Sequence, residues 1–102
     1  MTLGGSAGGA TVRCWRPKKR FKRDFKRLPV EVKKQVKEAL GALLESPPPS
    51  WIRFEKLKGY RNPNIFSIHA TRNHSYKISF ELDGDVAVLR RVGSHKKIDE
   101  QP

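Results

Sequence analysis

The sequence is poor in cysteine and has no long hydrophobic run, and each shortage excludes a class of protein. Its single cysteine, Cys14, cannot form an internal disulfide, which fits a reducing, cytoplasmic location. Cys14 lies in a β-prone segment, which predicts a buried structural thiol and not a reactive one. No apolar stretch approaches the roughly 20 residues that a membrane helix needs, and no basic-then-apolar leader begins the sequence. We therefore expect no association with a membrane.

The short motifs that hold phosphates, metals or cofactors are also missing. The sequence has no glycine-rich phosphate loop, CxxC pair, HExxH helix or GxSxG turn. Its acidic residues are few and scattered, which argues against a carboxylate-bound Mg²⁺ site for a nuclease or polymerase. The histidines, His69, His74 and His95, lack the spacing of a structural metal site. We expect no metal and no small-molecule cofactor.

Acidic side chains are outnumbered by basic ones, 10 against 22, which gives a net charge of +12 over 102 residues. So much positive charge on one small domain predicts a polyanionic partner such as RNA, DNA or a ribosome. The charge is densest around Phe21, Phe25 and Leu28, an apolar stripe at helical spacing. The polar side of this helix fits a phosphate-binding face and a merely solvated face about equally. Its candidate residues for contact with RNA or the ribosome are Lys18, Lys19, Lys22, Arg23 and Lys26.

The predicted elements follow the order β-α-α-β-β-β-β. A strand at 11–15 precedes the charged helix, and a second helix begins at Pro29 and ends at the proline run 47–49. A strand at 51–57 leads to a three-stranded meander at 65–70, 76–82 and 86–92, with an Asp83-Gly84 turn of type I′. This is an α+β domain at 11–98, with two N-terminal helices on a small, mostly antiparallel sheet. Residues 1–10 are predicted to be a disordered lead-in and 99–102 a tail.

Strand alternation gathers polar side chains on one solvent-facing side of the meander. On the last strand, Val86, Val88 and Val92 are predicted to face the core. The opposite face then holds Ser67, His69, Lys77, Arg91 and His95, with Arg72 and His74 at its rim.

Histidines among fixed cations suit metal-independent RNA cleavage, in which the ribose 2′-hydroxyl attacks the adjacent phosphate. His69 and His95 are the predicted acid–base pair. Lys77 and Arg91 are the predicted cations that stabilise the charge developing on the phosphate.

Several of these stretches resemble the RelE/ParE superfamily of bacterial type II toxins. The resemblance covers roughly residues 12–98 and rests on FKRDFKRLP before the second helix, LKG at 57–59, Tyr76-Lys77 with its strand, and VGSH at 92–95. It implies a toxin with two N-terminal helices and a small sheet, neutralised by a cognate antitoxin that wraps it. Because RelE-type members cut mRNA in the ribosomal A site, the resemblance implies a ribosome-dependent mRNA endonuclease whose partners are the ribosome and mRNA.

Carried over residue by residue, the resemblance covers four positions of the predicted face. Ser67 and His69 fall where RelE-type members have basic side chains, Lys77 falls on an arginine of the hairpin, and His95 falls on the basic residue after the VG pair. The sequence departs from mRNA-cutting members at 98–100, IDE, where they often have a tyrosine. Two other functions stay open: a ParE-like inhibitor of DNA gyrase, and a nucleic-acid-binding domain without toxicity.

Overall fold

The computed structural model describes residues 11–102, so the predicted lead-in at 1–10 lies outside the described residues. Its three helices are α1 (Lys19–Lys26), α2 (Val30–Leu43) and α3 (His95–Glu100). Its strands are β1 (Cys14–Pro17), β2 (Glu55–Lys56), β3 (Phe66–His69), β4 (Tyr76–Asp83) and β5 (Val86–Ser94). No helix within 11–102 is both long enough and apolar enough to cross a membrane.

The five strands form one sheet in the order β1-β5-β4-β3-β2. β1 runs parallel to β5 and every other pair is antiparallel, which confirms the predicted α+β class. The β4–β5 hairpin closes between the paired residues Asp83 and Val86. Its first central residue, Gly84, has φ +64°, whereas Asp85 is not among the residues of positive φ. One positive φ at the first position defines a type II′ turn, so the predicted type I′ turn is wrong.

Both N-terminal helices contribute to a core on one face of the sheet. α1 contributes Phe21. On α2 the buried residues recur every three or four positions and so lie on one face: Val36, Ala39, Leu40 and Leu43. From the sheet, Ile68, Ile78, Phe80 and Leu89 are fully buried in the same cluster. Burial of each large apolar side chain contributes about 1.5–3 kcal/mol, so this face supplies most of the hydrophobic stabilisation.

A β-bulge changes the alternation of β5. Ser79 pairs with Arg91 and Phe80 with Leu89, so Arg90 is an extra residue without an opposite partner. Before the bulge Ala87 and Leu89 join the core cluster, and after it Val92 does. The predicted inward placement of Val86 and Val88 is therefore wrong, because they pair opposite Asp83 and Glu81 on the other face. The bulge restores the predicted placement of Arg91 and Val92.

The edges of the sheet also differ from the predictions. The strand predicted at 51–57 is a 3₁₀ turn, Ser50–Ile52, followed by the two-residue β2, because Arg53 adopts a left-handed conformation with φ +48°. At the opposite edge β1 begins at Cys14 and extends to Pro17, which an edge strand tolerates. Cys14 is exposed there, so its predicted burial is wrong.

α3 covers the face of the sheet that the alternation predicted to be open. The Ser94 hydroxyl caps this helix by accepting from the Lys97 N–H at 3.2 Å, and the Ile98 side chain is fully buried. The helix lies against Gly93, where a Cβ would make ordinary van der Waals contact at 3.4 Å from Lys97 and 3.7 Å from Ile98. α3 also runs through the predicted tail boundary at 98/99, and Arg90 Nε donates to the Pro102 carbonyl at 3.3 Å.

Candidate active site

The β3–β4 ladder brings the predicted site residues into adjacent rows. His69 pairs with Lys77 and Ser67 with Ser79, and Gly93 of β5 lies on the other side of Lys77. Ser67 is fully buried, and its Oγ has no hydrogen-bond partner in the described part of the chain. Ser67 is therefore inaccessible to a substrate. His69 is the last residue of β3 and lies at the edge of the region that α3 covers.

Three imidazoles from three different elements meet at this end of the sheet. The ring centroid of His69 lies 4.2 Å from that of His74, in the β3–β4 loop, and 5.6 Å from that of His95, the first residue of α3. The sequence predicted that these residues share one surface, and the structure brings them together. Within residues 11–102, no group of three or more histidine, cysteine or acidic side chains is placed to hold a metal ion.

The loop that carries His74 is held by the buried side chain of Thr71. The Thr71 Oγ1 accepts from the N–H groups of Ser75 at 3.2 Å and Tyr76 at 3.3 Å. His74 has φ +63°, and its N–H donates to the Thr71 carbonyl at 3.0 Å. The Ser75 carbonyl accepts from the His95 N–H at 2.8 Å, which ties the loop to the start of α3. His74 and His95 are therefore positioned by hydrogen bonds of their own backbone and of the loop between them, two of which the Thr71 hydroxyl accepts.

His69 is held in the neutral form by its surroundings. Its side chain is only 7% exposed. Burial first, then the positive charge of neighbouring His74, Lys77, His95 and Arg53, lowers the pKa of His69 to about 4. Its Nδ1 is buried without a hydrogen-bond partner among the described residues. At neutral pH this imidazole accepts or donates hydrogen bonds but carries no charge.

One carboxylate joins two of the predicted catalytic residues. Asp99 Oδ1 lies 2.6 Å from Lys77 Nζ, and Asp99 Oδ2 lies 2.8 Å from His95 Nδ1. The Lys77 side chain is 6% exposed, so its ammonium points at Asp99 and not at solvent. The sequence analysis missed Asp99, although its position four residues after His95 on a helical turn is a signal of contact.

Arg91 lies apart from the imidazoles. Its Nε and Nη2 donate to the two carboxylate oxygens of Asp24 at 3.1 and 3.2 Å, and its Nη1 donates to the Gln101 carbonyl at 3.4 Å. Asp24 also accepts from the Val92 N–H at 3.3 Å. This buried pair joins α1 to β5, so the structure does not bring Arg91 to the site where the sequence analysis placed it.

The remaining predicted contacts lie on the surface. Arg72 is exposed at the rim, with its guanidinium carbon 4.1 Å from the centre of the Trp51 ring. All five basic candidates around α1 are exposed, although Lys18 Nζ lies 3.0 Å from Glu81. The site is thus a cluster of imidazoles beside a surface rich in lysine and arginine.

Comparison with known proteins yields matches only among solved structures. No protein-family profile matches the chain, and no curated protein does. A chain of the RelB–RelE antitoxin–toxin complex from Methanococcus jannaschii is 29% identical with a TM-score of 0.64, over 85% of this chain and 99% of that one.

Two further structures share the fold at lower identity. The isolated Escherichia coli RelE toxin is 22% identical with a TM-score of 0.61, over 81% of this chain and 84% of that one. A chain of the archaeal RelE–RelB complex from Pyrococcus horikoshii is 16% identical with a TM-score of 0.61, over 82% of this chain and 94% of that one. Together with the observed order of helices and strands, the 29% identical match confirms the resemblance that the sequence shows: the chain has the RelE fold and is similar to RelE toxins of toxin–antitoxin systems.

Proposed function

We propose that this toxin inhibits translation by cutting mRNA on the ribosome, without a metal ion. The observation that carries the proposal is the convergence of His69, His74 and His95 at one end of the sheet. Imidazoles exchange protons near neutral pH, which cleavage by a ribose 2′-hydroxyl requires. In this reaction the 2′-oxygen bonds to phosphorus and the bond from phosphorus to the 5′-oxygen breaks, which leaves a 2′,3′-cyclic phosphate and a 5′-hydroxyl.

Exposure and charge divide the proton transfers among the three rings. The His95 side chain is 45% exposed, so it meets the RNA and removes the proton of the 2′-hydroxyl. The exposed His74 returns a proton to the leaving 5′-oxygen. His69 is neutral, since its pKa is about 4, and therefore has no acidic proton to give at neutral pH. Its role is to hydrogen-bond a phosphate oxygen, which replaces the acid–base pairing with His95 that the sequence analysis predicted.

The basic surface supplies the electrostatic part of binding. Lys77 and Arg91 are occupied by Asp99 and Asp24, so neither ammonium nor guanidinium is available to grip a phosphate directly. Exposed lysines of α1 and the rim residue Arg72 remain, and they attract the backbone of mRNA or ribosomal RNA. The net charge of +12 supports the same assignment.

A cognate antitoxin is the second proposed partner. The matching chains from Methanococcus jannaschii and Pyrococcus horikoshii come from complexes of RelE with RelB. The net charge of +12 favours an antitoxin whose contact segment is acidic, because opposite charge accelerates association.

Primer extension on mRNA from translating ribosomes tests the proposed reaction. Wild-type protein should cut, and His95→Ala and His74→Ala should each cut about 100-fold or more slowly, the loss typical of a missing acid or base. Lys34→Ala is the matched control, because Lys34 is an exposed residue of α2 that contacts only Glu31, at 3.9 Å, among the described ion pairs. Its cutting rate should not change.

A gyrase supercoiling assay run in parallel separates the alternative function. Inhibition of gyrase by a wild-type protein that cuts no mRNA would support the ParE-like alternative. Equal cutting by wild type and both histidine variants would exclude the imidazole site.

A further inference from the structure

We propose that Asp99 is a positioning residue, which holds the His95 imidazole in the tautomer that removes the proton of the 2′-hydroxyl. The inference rests on the proposed RNA cleavage and adds a residue to it. Its basis is the single carboxylate that lies 2.8 Å from His95 Nδ1 and 2.6 Å from Lys77 Nζ.

The backbone around Asp99 is anchored at the start of α3 and within it. Before the helix, Ser94 pairs with Tyr76 in the β4–β5 ladder and caps the first turn through its hydroxyl. Within the helix, Ile98 is fully buried against the sheet. Residues four apart on a helix lie on the same side, so Asp99 faces His95. A carboxylate held this firmly defines the direction of the imidazole.

The chemistry of the partners decides which nitrogen of His95 carries a proton at this 2.8 Å contact. An ionised carboxylate only accepts, so the His95 Nδ1 must carry the proton that lies between them. The lone pair is then on His95 Nε2, the ring nitrogen that Asp99 leaves free. When Nε2 takes the proton of the 2′-hydroxyl, the imidazolium that forms stays next to the negative charge of Asp99.

Lys77 completes the arrangement from below the site. A lysine ammonium only donates, and the Lys77 side chain is 6% exposed, so Asp99 Oδ1 is committed to it. This leaves Oδ2 for His95. Lys77 therefore acts on His95 only through Asp99. Its buried ammonium holds Oδ1 of Asp99, so that Oδ2 faces His95.

The same geometry is also compatible with an inhibitory role of Asp99, which predicts the opposite effect on the rate of cutting. A carboxylate between Lys77 and His95 also resembles a phosphate mimic that blocks an anion site. Removal of a blocking carboxylate would raise the rate of cutting, whereas removal of a positioning carboxylate lowers it.

The first test reads the tautomer directly, by NMR of the imidazole nitrogens in ¹⁵N-histidine-labelled protein. In Asp99→Asn the amide oxygen must face Lys77, because the ammonium has no acceptor, and the amide NH₂ then faces His95 Nδ1. Nδ1 becomes an acceptor and the proton moves to Nε2, so the two nitrogen signals should exchange their chemical-shift classes. Glu100→Gln is the matched control, because it removes the same charge from the next residue of the helix. Glu100 is in no ion pair among the described residues, and its variant should keep the wild-type pattern.

The second test measures the single-turnover rate of mRNA cutting at ribosome concentrations below and above those that saturate the protein. Asp99→Asn should lower the rate at saturation by about 100-fold or more, since it reverses the tautomer of His95. The ribosome concentration that gives half of the maximal rate should stay within about twofold of the wild-type value. Glu100→Gln should match wild type in both quantities. A variant that folds poorly would instead lose the dispersed NMR spectrum.

Each outcome decides a separate statement. Unchanged nitrogen signals in Asp99→Asn, or cutting at or above the wild-type rate, overturns the positioning role. If wild-type protein does not cut, the proposed RNA cleavage fails, and the tautomer measurement alone decides whether Asp99 orients His95.

Discussion

Acidification should destabilise this fold through His69, because the imidazole is buried in its neutral form. Burial and nearby positive charge lower the pKa of His69 from 6.5 to about 4 in the folded protein. Between these two values the unfolded chain binds a proton that the folded chain does not. Stability therefore rises with pH across that window, is complete above the unfolded pKa, and is lost as the pH falls toward the folded pKa.

The size of the effect follows from the same two values. Proton linkage gives a loss of about 2 kcal/mol between about pH 7.5 and about pH 5, and a limit of roughly 3 kcal/mol below the folded pKa. Glu81 does not interfere in this range. Burial alone raises the pKa of Glu81, but hydrogen bonds from Lys18 and Arg90 outweigh it and hold the pKa below its usual value of 4.5. Its contribution is present throughout the range and is lost only at lower pH.

Urea unfolding followed by circular dichroism at the two pH values measures the loss. His69→Gln removes the titrating group and keeps an amide of similar length, so its free energy of unfolding should depend on pH by about 2 kcal/mol less than that of wild type. His74→Gln is the control for an exposed histidine. It should retain most of the wild-type dependence, because burial of His69 is the largest cause of the shift.

The comparison between variants isolates His69 from other titrating groups. If wild type and His69→Gln lose the same free energy on acidification, His69 is protonated in the folded protein. The assignment of a neutral, hydrogen-bonding role to this ring would then be refuted as well.

Three further changes test other parts of the structure. Asp24→Asn should lower the free energy of unfolding in urea by about 3 kcal/mol, because it leaves the buried Arg91 without its partner, whereas Asp85→Asn, in an exposed pair, should cost less than about 1 kcal/mol. Ile98→Ala should cost about 2–4 kcal/mol and speed hydrogen exchange of the α3 amides, since a fully buried side chain is lost; unchanged exchange would contradict its anchoring role. Binding of single-stranded RNA should lose about 2 from the slope of log K against log salt when three exposed lysines are replaced together, as Lys19→Gln, Lys22→Gln and Lys26→Gln.

Most of the fold could be predicted because its signals are local. The stripe at Phe21 and Phe25, the alternation of β4 and the Gly84 turn each lie within a few residues and have one physical explanation. Local signals also explain the α+β class and the convergence of the histidines, since His69 ends one strand and His95 follows another. Element boundaries follow less from local signals, and the strand predicted at 51–57 is mostly a turn.

The bulge in β5 and the cover of α3 could not be predicted in the same way. A bulge depends on how two strands settle against one core, and the sequence VLRRV does not show which of its two adjacent arginines lacks an opposite partner. α3 has one buried apolar side chain, Ile98, among six residues, which is too little for a periodic pattern. The sequence therefore predicted a solvent-exposed polar face, although α3 covers it, because this helix is too short to give a recognisable periodic pattern.

Both predicted cations, Lys77 and Arg91, are engaged in ion pairs within the fold. Three acidic side chains, Asp24, Glu81 and Asp99, bind Arg91, Arg90 and Lys77 of β4 and β5. Each partner comes from a different part of the chain, so no local pattern reveals it.

These ion pairs also divide the basic residues behind the net charge of +12 into two groups, those that stabilise the fold and those that are exposed to solvent. Cations of the sheet hold α1 and α3 in place, and breaking one of these buried pairs would leave an uncompensated charge. Other exposed basic residues are in no ion pair among the described residues, among them Lys19, Lys22 and Lys26 of α1 and the rim residue Arg72. In the proposed function, solvated charges hold RNA at the surface, and the reacting phosphate meets imidazoles whose geometry the ion pairs maintain. Salt should consequently weaken binding more than it slows the cutting of RNA already bound, because screening acts most on fully exposed charges and less on the pair of Lys77 and Asp99, whose lysine is only 6% exposed.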